Sequence, residues 1–152
     1  MKENVILLVE DSAEDASLVL AAFKRWGITN PIHVTQDGEQ AVEYLEGRGK
    51  YADRDPETLP TIAILDLTMP QMSGFEVLEW VRSRPKFSTM PVVVLSGTKD
   101  LEDFDKAHRL GANACVVKSL ELNELHELIQ HLNYFSVSSE YPSTDVTWSP
   151  DP

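Results

Sequence analysis

The chain has one cysteine, few basic residues and no long apolar run. Its single thiol, Cys115, excludes an internal disulfide framework. No apolar run approaches the ~20 residues that a helix needs to cross a bilayer, so we expect no membrane span. The 13 basic residues stand against 25 acidic ones, and the net charge of −12 argues against electrostatic binding to nucleic acid or to an anionic membrane. Residues 1–4 show no signal-peptide pattern, so we expect a cytoplasmic protein.

The remaining composition is that of an ordinary globular protein, with 42% hydrophobic and 25% charged residues among 152. This length and composition predict one domain, which we assign to residues 1–133. The segment 134–152 is rich in proline and serine and has no basic residue, which predicts a C-terminal arm or a disordered tail.

Five short apolar runs have the length and β-branched content of strands. They are Val5–Val9, Ile32–Val34, Ile62–Leu65, Val92–Leu95 and Ala114–Val117. Most are apolar at every position rather than at alternate ones, as expected of strands that are covered on both faces. Helical patterns follow each run, and the predicted N-caps of the first four helices are Ser12, Asp37, Ser73 and Asp100.

Five strand–helix units in series predict an α/β fold with one doubly wound, five-stranded parallel sheet in the order 2-1-3-4-5. The fifth helix is expected to carry Leu122, Leu125 and Leu128 on its apolar face. Residues 48–60 lie outside the pattern and predict a long polar loop between the second helix and the third strand.

Four of the predicted strands end in residues that suit phosphoryl chemistry. These are Glu10 and Asp11 after the first strand, Asp66 after the third, Ser96 after the fourth and Lys118 after the fifth. In a sheet of this topology the carboxyl ends of the strands form the ligand site. Like charges at ~4 Å repel by about 4 kcal/mol at an effective dielectric of 20, so gathered acids require a cation. A divalent ion, a hydroxyl and an ammonium beside an aspartate indicate a phosphoryl-accepting site.

With these residues the chain resembles the receiver domain of two-component response regulators over about residues 4–133. The matching positions are Glu10-Asp11, Asp66 followed by Met69-Pro70 and Gly74, Ser96, and Lys118. The resemblance implies a flavodoxin-like (βα)5 fold and a phosphorylation-dependent signalling function rather than an enzyme's turnover.

The same resemblance implies a role for each site residue. Asp66 would accept a phosphoryl group from the phosphohistidine of a sensor histidine kinase. Glu10, Asp11, Asp66 and the backbone carbonyl of Thr68 would bind Mg²⁺. Lys118 would pair with the phosphate, and the Ser96 hydroxyl would turn towards it on activation.

The loop 48–60, the pair Lys118-Ser119 and the absence of an output domain resemble a narrower subgroup. Its members are stand-alone regulators that serve bacterial and cyanobacterial phytochrome histidine kinases. This likeness implies a phytochrome-type kinase as partner. It also implies a homodimer formed through helix 4, strand 5 and helix 5.

Three positions depart from the common receiver pattern. Cys115 stands where an aromatic residue usually couples to the fourth-strand hydroxyl, and a thiol cannot sweep the same volume. Ser119 replaces the proline that commonly follows the lysine, and Gly97 follows Ser96 in a loop that it leaves conformationally free.

Two other functions remain open on the sequence. One is a phosphohydrolase with an aspartyl nucleophile, which generally needs a second acid two residues later; Thr68 stands at that place and is no general acid at neutral pH. The other is a receiver-like binding module that works without phosphorylation. The departures at Cys115 and Ser119 keep that hypothesis open, whereas the complete acid set argues against it.

Overall fold

The structure is a computed structural model that describes residues 5–55, 59–67, 69, 72–97, 100–119 and 122–130. The predicted arm over 134–152 and the predicted Thr68 ligand lie outside these residues and stay predictions. Among the described helices, none combines the length and the apolar character that crossing a bilayer requires.

Strands and helices alternate along the described chain. The strands are β1 (Ile6–Val9), β2 (Ile32–Thr35), β3 (Ile62–Asp66), β4 (Val92–Ser96) and β5 (Ala114–Val117). The helices are α1 (Ala13–Arg25), α2 (Gly38–Glu46), α3 (Gly74–Ser83), α4 (Leu101–Arg109) and α5 (Asn123–Gln130). Short 3₁₀ turns occupy Gly49–Tyr51 and Pro85–Phe87.

All strand pairs are parallel, and the sheet order is β2-β1-β3-β4-β5, which confirms the predicted topology. The central strands β3 and β4 run one residue further than predicted, so that Asp66 and Ser96 are themselves strand residues. Asp66 is paired with Leu95 in the register of these two strands. A side chain held by sheet pairing has a fixed direction, which suits a site residue.

The hydrophobic core lies on both faces of the sheet, which explains the uninterrupted apolar strands. On one face Ile6 and Leu8 of β1 pack in a cluster with Phe23 of α1 and Leu125 of α5. On the other face Leu7 and Val9 belong to a cluster that includes residues of α2, α3 and α4. Successive β1 side chains therefore serve opposite layers, as the pleat of a strand requires.

The four predicted N-caps are confirmed. The side chains of Ser12, Asp37, Ser73 and Asp100 each accept a hydrogen bond from a backbone N–H in the first turn of their helix. The predicted place of Leu122 within the fifth helix is wrong, because α5 begins at Asn123 and Leu122 has a φ of 53°. Its N–H instead donates to the Ser119 hydroxyl at 3.0 Å, and its side chain is still buried in the core.

Part of the predicted polar loop 48–60 makes aromatic contacts with the preceding elements. Tyr51 lies edge-on to Tyr44 of α2 and to His33 of β2, and the rings of His33 and Tyr44 stack with centroids 4.2 Å apart. Arg54 donates to the Tyr44 carbonyl at 2.8 Å, with its guanidinium over the Tyr44 ring. These contacts attach the described part of the loop to the edge strand β2.

Candidate phosphoacceptor site

Three acids meet at the carboxyl edge of the sheet. Glu10, Asp11 and Asp66 each place one carboxylate oxygen so that the three oxygens lie within 4.8 Å of one another. Glu10 and Asp66 are buried, with 2% and 5% of their surface exposed, whereas Asp11 is exposed. The cluster is therefore embedded in protein on one side and open to solvent on the Asp11 side.

Backbone hydrogen bonds fix the position of Glu10. Its N–H donates to the Thr35 carbonyl at 3.0 Å, which continues the β1–β2 pairing beyond β1. Its Oε2 accepts a hydrogen bond from the Ser12 N–H at 3.3 Å, at the start of α1. The helix that Ser12 caps thus begins directly beside the acid cluster.

Gly74 allows the start of α3 to lie against the backbone of Asp66. Its N–H donates to the Leu67 carbonyl at 3.1 Å. A Cβ at this position would clash with the Asp66 carbonyl oxygen and would lie 2.8 Å from the Leu67 Cα. Because neither contact involves a flexible side chain, a larger residue would displace the backbone that carries Asp66.

Lys118 brings a positive charge into this cluster from the end of β5. Its Nζ lies 2.7 Å from Glu10 Oε1, 2.8 Å from Asp15 Oδ2 and 3.6 Å from Asp66 Oδ1. Its backbone N–H donates to the Ser96 carbonyl at 2.7 Å. Ser96 is also buried, so the structure brings the predicted hydroxyl, ammonium and carboxylates to one edge.

Sequence reasoning missed Asp15 as a member of this site. Its place in the first turn of α1 indicated only a helix-stabilising acid, a common reason for an aspartate at such a position. Nothing in the sequence distinguishes Asp15 from Glu14, the other acid of that turn, because the lysine that Asp15 contacts lies 103 positions away. Lys118 contacts the Asp15 carboxylate, which is not one of the three acids of the cluster.

The site holds several carboxylates around a single lysine ammonium. Burial, with the nearby charge of Asp66, raises the pKa of Glu10 to about 7 although Lys118 and the Ser12 N–H act to lower it. Burial acts to lower the pKa of Lys118, but hydrogen bonds to Asp15 and Glu10 and the charge of Asp66 together hold that pKa above its usual value. One ammonium therefore faces more negative charge than it neutralises.

The donor set fits a divalent cation. All three acids of the cluster offer oxygen, the ligand that hard cations such as Mg²⁺ prefer. Glu10 Oε1 is buried and lies 2.7 Å from the Lys118 ammonium. A carboxylate oxygen with one such partner has a lone pair left for a metal.

Of the three departures, Gly97 and Ser119 lie at the carboxyl edge, whereas Cys115 lies within β5. The Cys115 thiol is 3.8 Å from the Phe104 carbonyl of α4, and burial raises its pKa to about 11, so it is a neutral thiol at physiological pH. A Cβ on Gly97 would meet nothing within 4 Å, so packing does not require a glycine there, and the conformational freedom of the loop stays a prediction. The hydroxyl of Ser119, which stands in place of the usual proline, accepts a hydrogen bond from the Leu122 N–H at 3.0 Å, just before α5.

This sheet order, with acids, a hydroxyl and a lysine at its carboxyl edge, defines a receiver domain of the two-component type. A family model described as the response regulator receiver domain matches residues 6–130, and the chain belongs to that family. The flavodoxin-like fold and the family resemblance inferred from the sequence are thus confirmed.

Individual relatives indicate which members of this family the chain resembles. The response regulator Rcp1 of Synechocystis sp. is 34% identical over 132 residues, which cover 87% of this chain and 88% of Rcp1. A structure of the Mn²⁺-bound form of Rcp1 has a TM-score of 0.73 and 30% identity, covering 93% of this chain and 99% of that one. The bacteriophytochrome response regulator AtBRR has a TM-score of 0.78 and 33% identity, covering 95% and 99%. The chain is therefore related to phytochrome response regulators.

Proposed function

We propose that this protein is a phosphorylation-dependent, single-domain response regulator in which Asp66 accepts a phosphoryl group from a sensor histidine kinase. The observation that carries the proposal is the meeting of Glu10, Asp11 and Asp66 within 4.8 Å, with the Lys118 ammonium 3.6 Å from Asp66. In the transfer, an Asp66 oxygen forms a bond to phosphorus as the phosphorus–nitrogen bond of the phosphohistidine breaks. The electron pair returns to the imidazole nitrogen.

Each of the remaining site residues has a part in this step. Glu10, Asp11, Asp66 and the backbone carbonyl of Thr68 would hold Mg²⁺, which supplies positive charge for the phosphoryl oxygens. Lys118 would bind an oxygen of the acyl phosphate, and the Ser96 hydroxyl would donate to another. Ser96 follows Leu95, the residue paired with Asp66, and the Lys118 N–H donates to the Ser96 carbonyl at 2.7 Å.

A phosphoryl group adds about −1.5 to −2 charges at neutral pH, enough to redistribute the contacts of Lys118 and Ser96. We propose that this change alters the surface formed by α4, β5 and α5, through which the protein forms a homodimer or binds a partner. The exposed Leu101 at the start of α4, with 73% of its surface accessible, supports an interface there. The arm over 134–152 is proposed to extend that contact.

The partner we propose is a phytochrome-type histidine kinase in the cytoplasm. AtBRR, one of the proteins to which this chain is similar, is a bacteriophytochrome response regulator. The assignment would fail if a phytochrome kinase phosphorylated on its histidine transferred nothing to this chain while acetyl phosphate did.

Phosphorylation itself is tested by mass spectrometry of the intact protein after incubation with acetyl phosphate and Mg²⁺. We expect one added phosphoryl group, absent in Asp66→Asn and present in the control Asp105→Asn, an exposed aspartate on α4. Modification of the Asp66→Asn protein at the wild-type level would contradict the assignment. Multiple turnover of a phosphate monoester would instead favour the phosphohydrolase.

The interface is tested by light scattering of the phosphorylated chain. We expect a dimer that Leu101→Ser weakens, whereas Leu20→Ser, which changes an exposed leucine of α1, leaves it intact. If the full chain and a chain that ends at Leu132 had the same oligomeric state, the proposed role of the arm would be removed.

A further inference from the structure

Asp15 contacts the lysine of the site without belonging to the three-acid cluster. Its Oδ2 accepts a hydrogen bond from Lys118 Nζ at 2.8 Å, and its own backbone N–H donates to the Ser12 hydroxyl at 3.1 Å. The second bond fixes Asp15 in the first turn of α1. The Asp15 side chain is 38% exposed, compared with 0% for Glu10, so of these two partners of Lys118 Asp15 is the one that lies nearer to solvent.

The position of the Lys118 ammonium depends on these ion pairs. Asp15, Lys118 and Ser119 line a cavity of about 300 Å³ together with apolar residues of α1 and with Leu122. The lysine therefore borders open space on this side instead of tightly packed core. Its two short contacts are with Glu10 and Asp15, and the contact with Asp66 is longer by nearly an ångström.

Without Asp15, the ammonium would keep Glu10 and Asp66 as its carboxylate partners in the described structure. Both are among the three acids that fit a divalent cation. A lysine drawn fully onto them would compete with the cation for the same negative charge. A carboxylate outside the cluster removes part of this competition.

We propose that Asp15 is a positioning residue that holds the Lys118 ammonium on the α1 side of the site, 3.6 Å from Asp66, and so leaves Asp66 available for the metal. The inference rests on the proposed function, because it assigns Asp15 a part in preparing the same phosphoacceptor site. In this arrangement Lys118 remains next to Asp66 without neutralising it before a phosphoryl group arrives.

The test is the dissociation constant of Mg²⁺ for the full chain, measured by isothermal titration calorimetry. Asp15→Asn is expected to weaken Mg²⁺ binding about fivefold, and Asp15→Glu to restore most of the affinity. Glu14→Gln is the matched control, because Glu14 is an exposed acid in the same helical turn without a contact to the lysine. It is expected to change the constant by less than about twofold.

A double-mutant cycle separates a positioning role from general charge and from structural damage. In a Lys118→Ala background, Asp15→Asn should have no larger effect than Glu14→Gln, since the residue acts through the lysine. The inference is overturned if Asp15→Asn equals Glu14→Gln in the wild-type background, or if its effect is the same with and without Lys118. Absence of Mg²⁺ binding by the wild-type chain would overturn the proposed metal site as well, so the two failures are distinguishable.

Discussion

Two partly buried cations lie at opposite edges of the sheet, and their surroundings differ. Arg82 of α3 lies near the amino ends of β4 and β5. It donates to the carbonyls of Gly111, Phe87 and Ser88 and to the Asn113 side chain. Asn113 in turn accepts the N–H of Val92, the first residue of β4. Lys118 lies beyond the carboxyl end of β5 among carboxylates.

The partners of Arg82 are neutral oxygens, and burial lowers the pKa of its guanidinium. Such a cation joins the end of α3 to the loops that precede β4 and β5, and its contribution is structural. Lys118 faces acids that repel one another, and the pKa of Glu10 is raised as a result of its burial there. At the amino edge of the sheet the cation is matched by neutral hydrogen-bond acceptors, whereas at the carboxyl edge the acids carry more negative charge than Lys118 neutralises.

The largest expected effect is on phosphorylation at the carboxyl edge. Replacing Lys118 by alanine removes a charge that would stabilise the transferred phosphoryl group, and we expect the rate with acetyl phosphate to fall about 100-fold. In saturating Mg²⁺ the free energy of unfolding should change by less than about 1 kcal/mol, because the metal neutralises the remaining acids. Rapid-quench labelling and urea denaturation measure the two quantities.

The matched control for Lys118 is Lys24→Ala, which removes an exposed lysine in the last turn of α1. It should leave the rate unchanged. If the two variants were phosphorylated equally fast, Lys118 would have no part in the transfer.

Arg82→Ala should produce the opposite result. Several backbone carbonyls and the Asn113 amide lose their donor, and we expect a loss of about 3 kcal/mol in the free energy of unfolding. The rate of phosphorylation of the folded protein should be unchanged. Arg84→Ala, which removes an exposed arginine stacked on Trp80, should cost less than about 1 kcal/mol. Equal stabilities for the two variants would show that the Arg82 contacts are not structural.

The smallest expected effect concerns His33 on the edge strand. Burial, with the positive charges of Arg54 and Lys50, lowers the pKa of His33 below its usual value. The unfolded chain therefore binds this proton more readily than the folded one. The corresponding stability is present above the unfolded pKa of about 6.5 and is lost as the pH falls towards the folded value.

The measurement for His33 is urea denaturation between pH 5 and pH 8. His33→Phe keeps an aromatic ring against Tyr44 and should lose this part of the pH dependence, whereas His108→Gln, an exposed change on α4, should keep the wild-type profile. Identical slopes for wild type and His33→Phe would mean that the stack does not discriminate against the charged imidazole.

Much of the fold followed from local patterns. The apolar runs and helix caps predicted the sheet because each strand needs cover on both faces and each cap satisfies backbone donors. The acids at strand ends predicted the meeting of Glu10, Asp11 and Asp66 because parallel strands share a carboxyl edge.

Other features depend on contacts between distant residues. Asp15 and Lys118 are 103 positions apart, and an acid in a first helical turn gives no indication of such a partner. The packing of Tyr51 onto His33 also joins a loop to an earlier strand. The predicted place of Leu122 in α5 is wrong because its apolar side chain suits the helical spacing, whereas its φ of 53° lies in the left-handed region.

The central claim is that the acids at the carboxyl edge are held for a divalent cation and a phosphoryl group on Asp66. The most direct measurement is a crystal structure of the chain with Mg²⁺ and beryllium trifluoride, a mimic of the phosphoryl group. We predict an ion bound to Glu10, Asp11 and Asp66, the mimic attached to the Asp66 carboxylate and the Lys118 ammonium in contact with its fluorine atoms. An edge without ion or mimic under saturating concentrations, with Lys118 still paired to Glu10 and Asp15, would contradict the account.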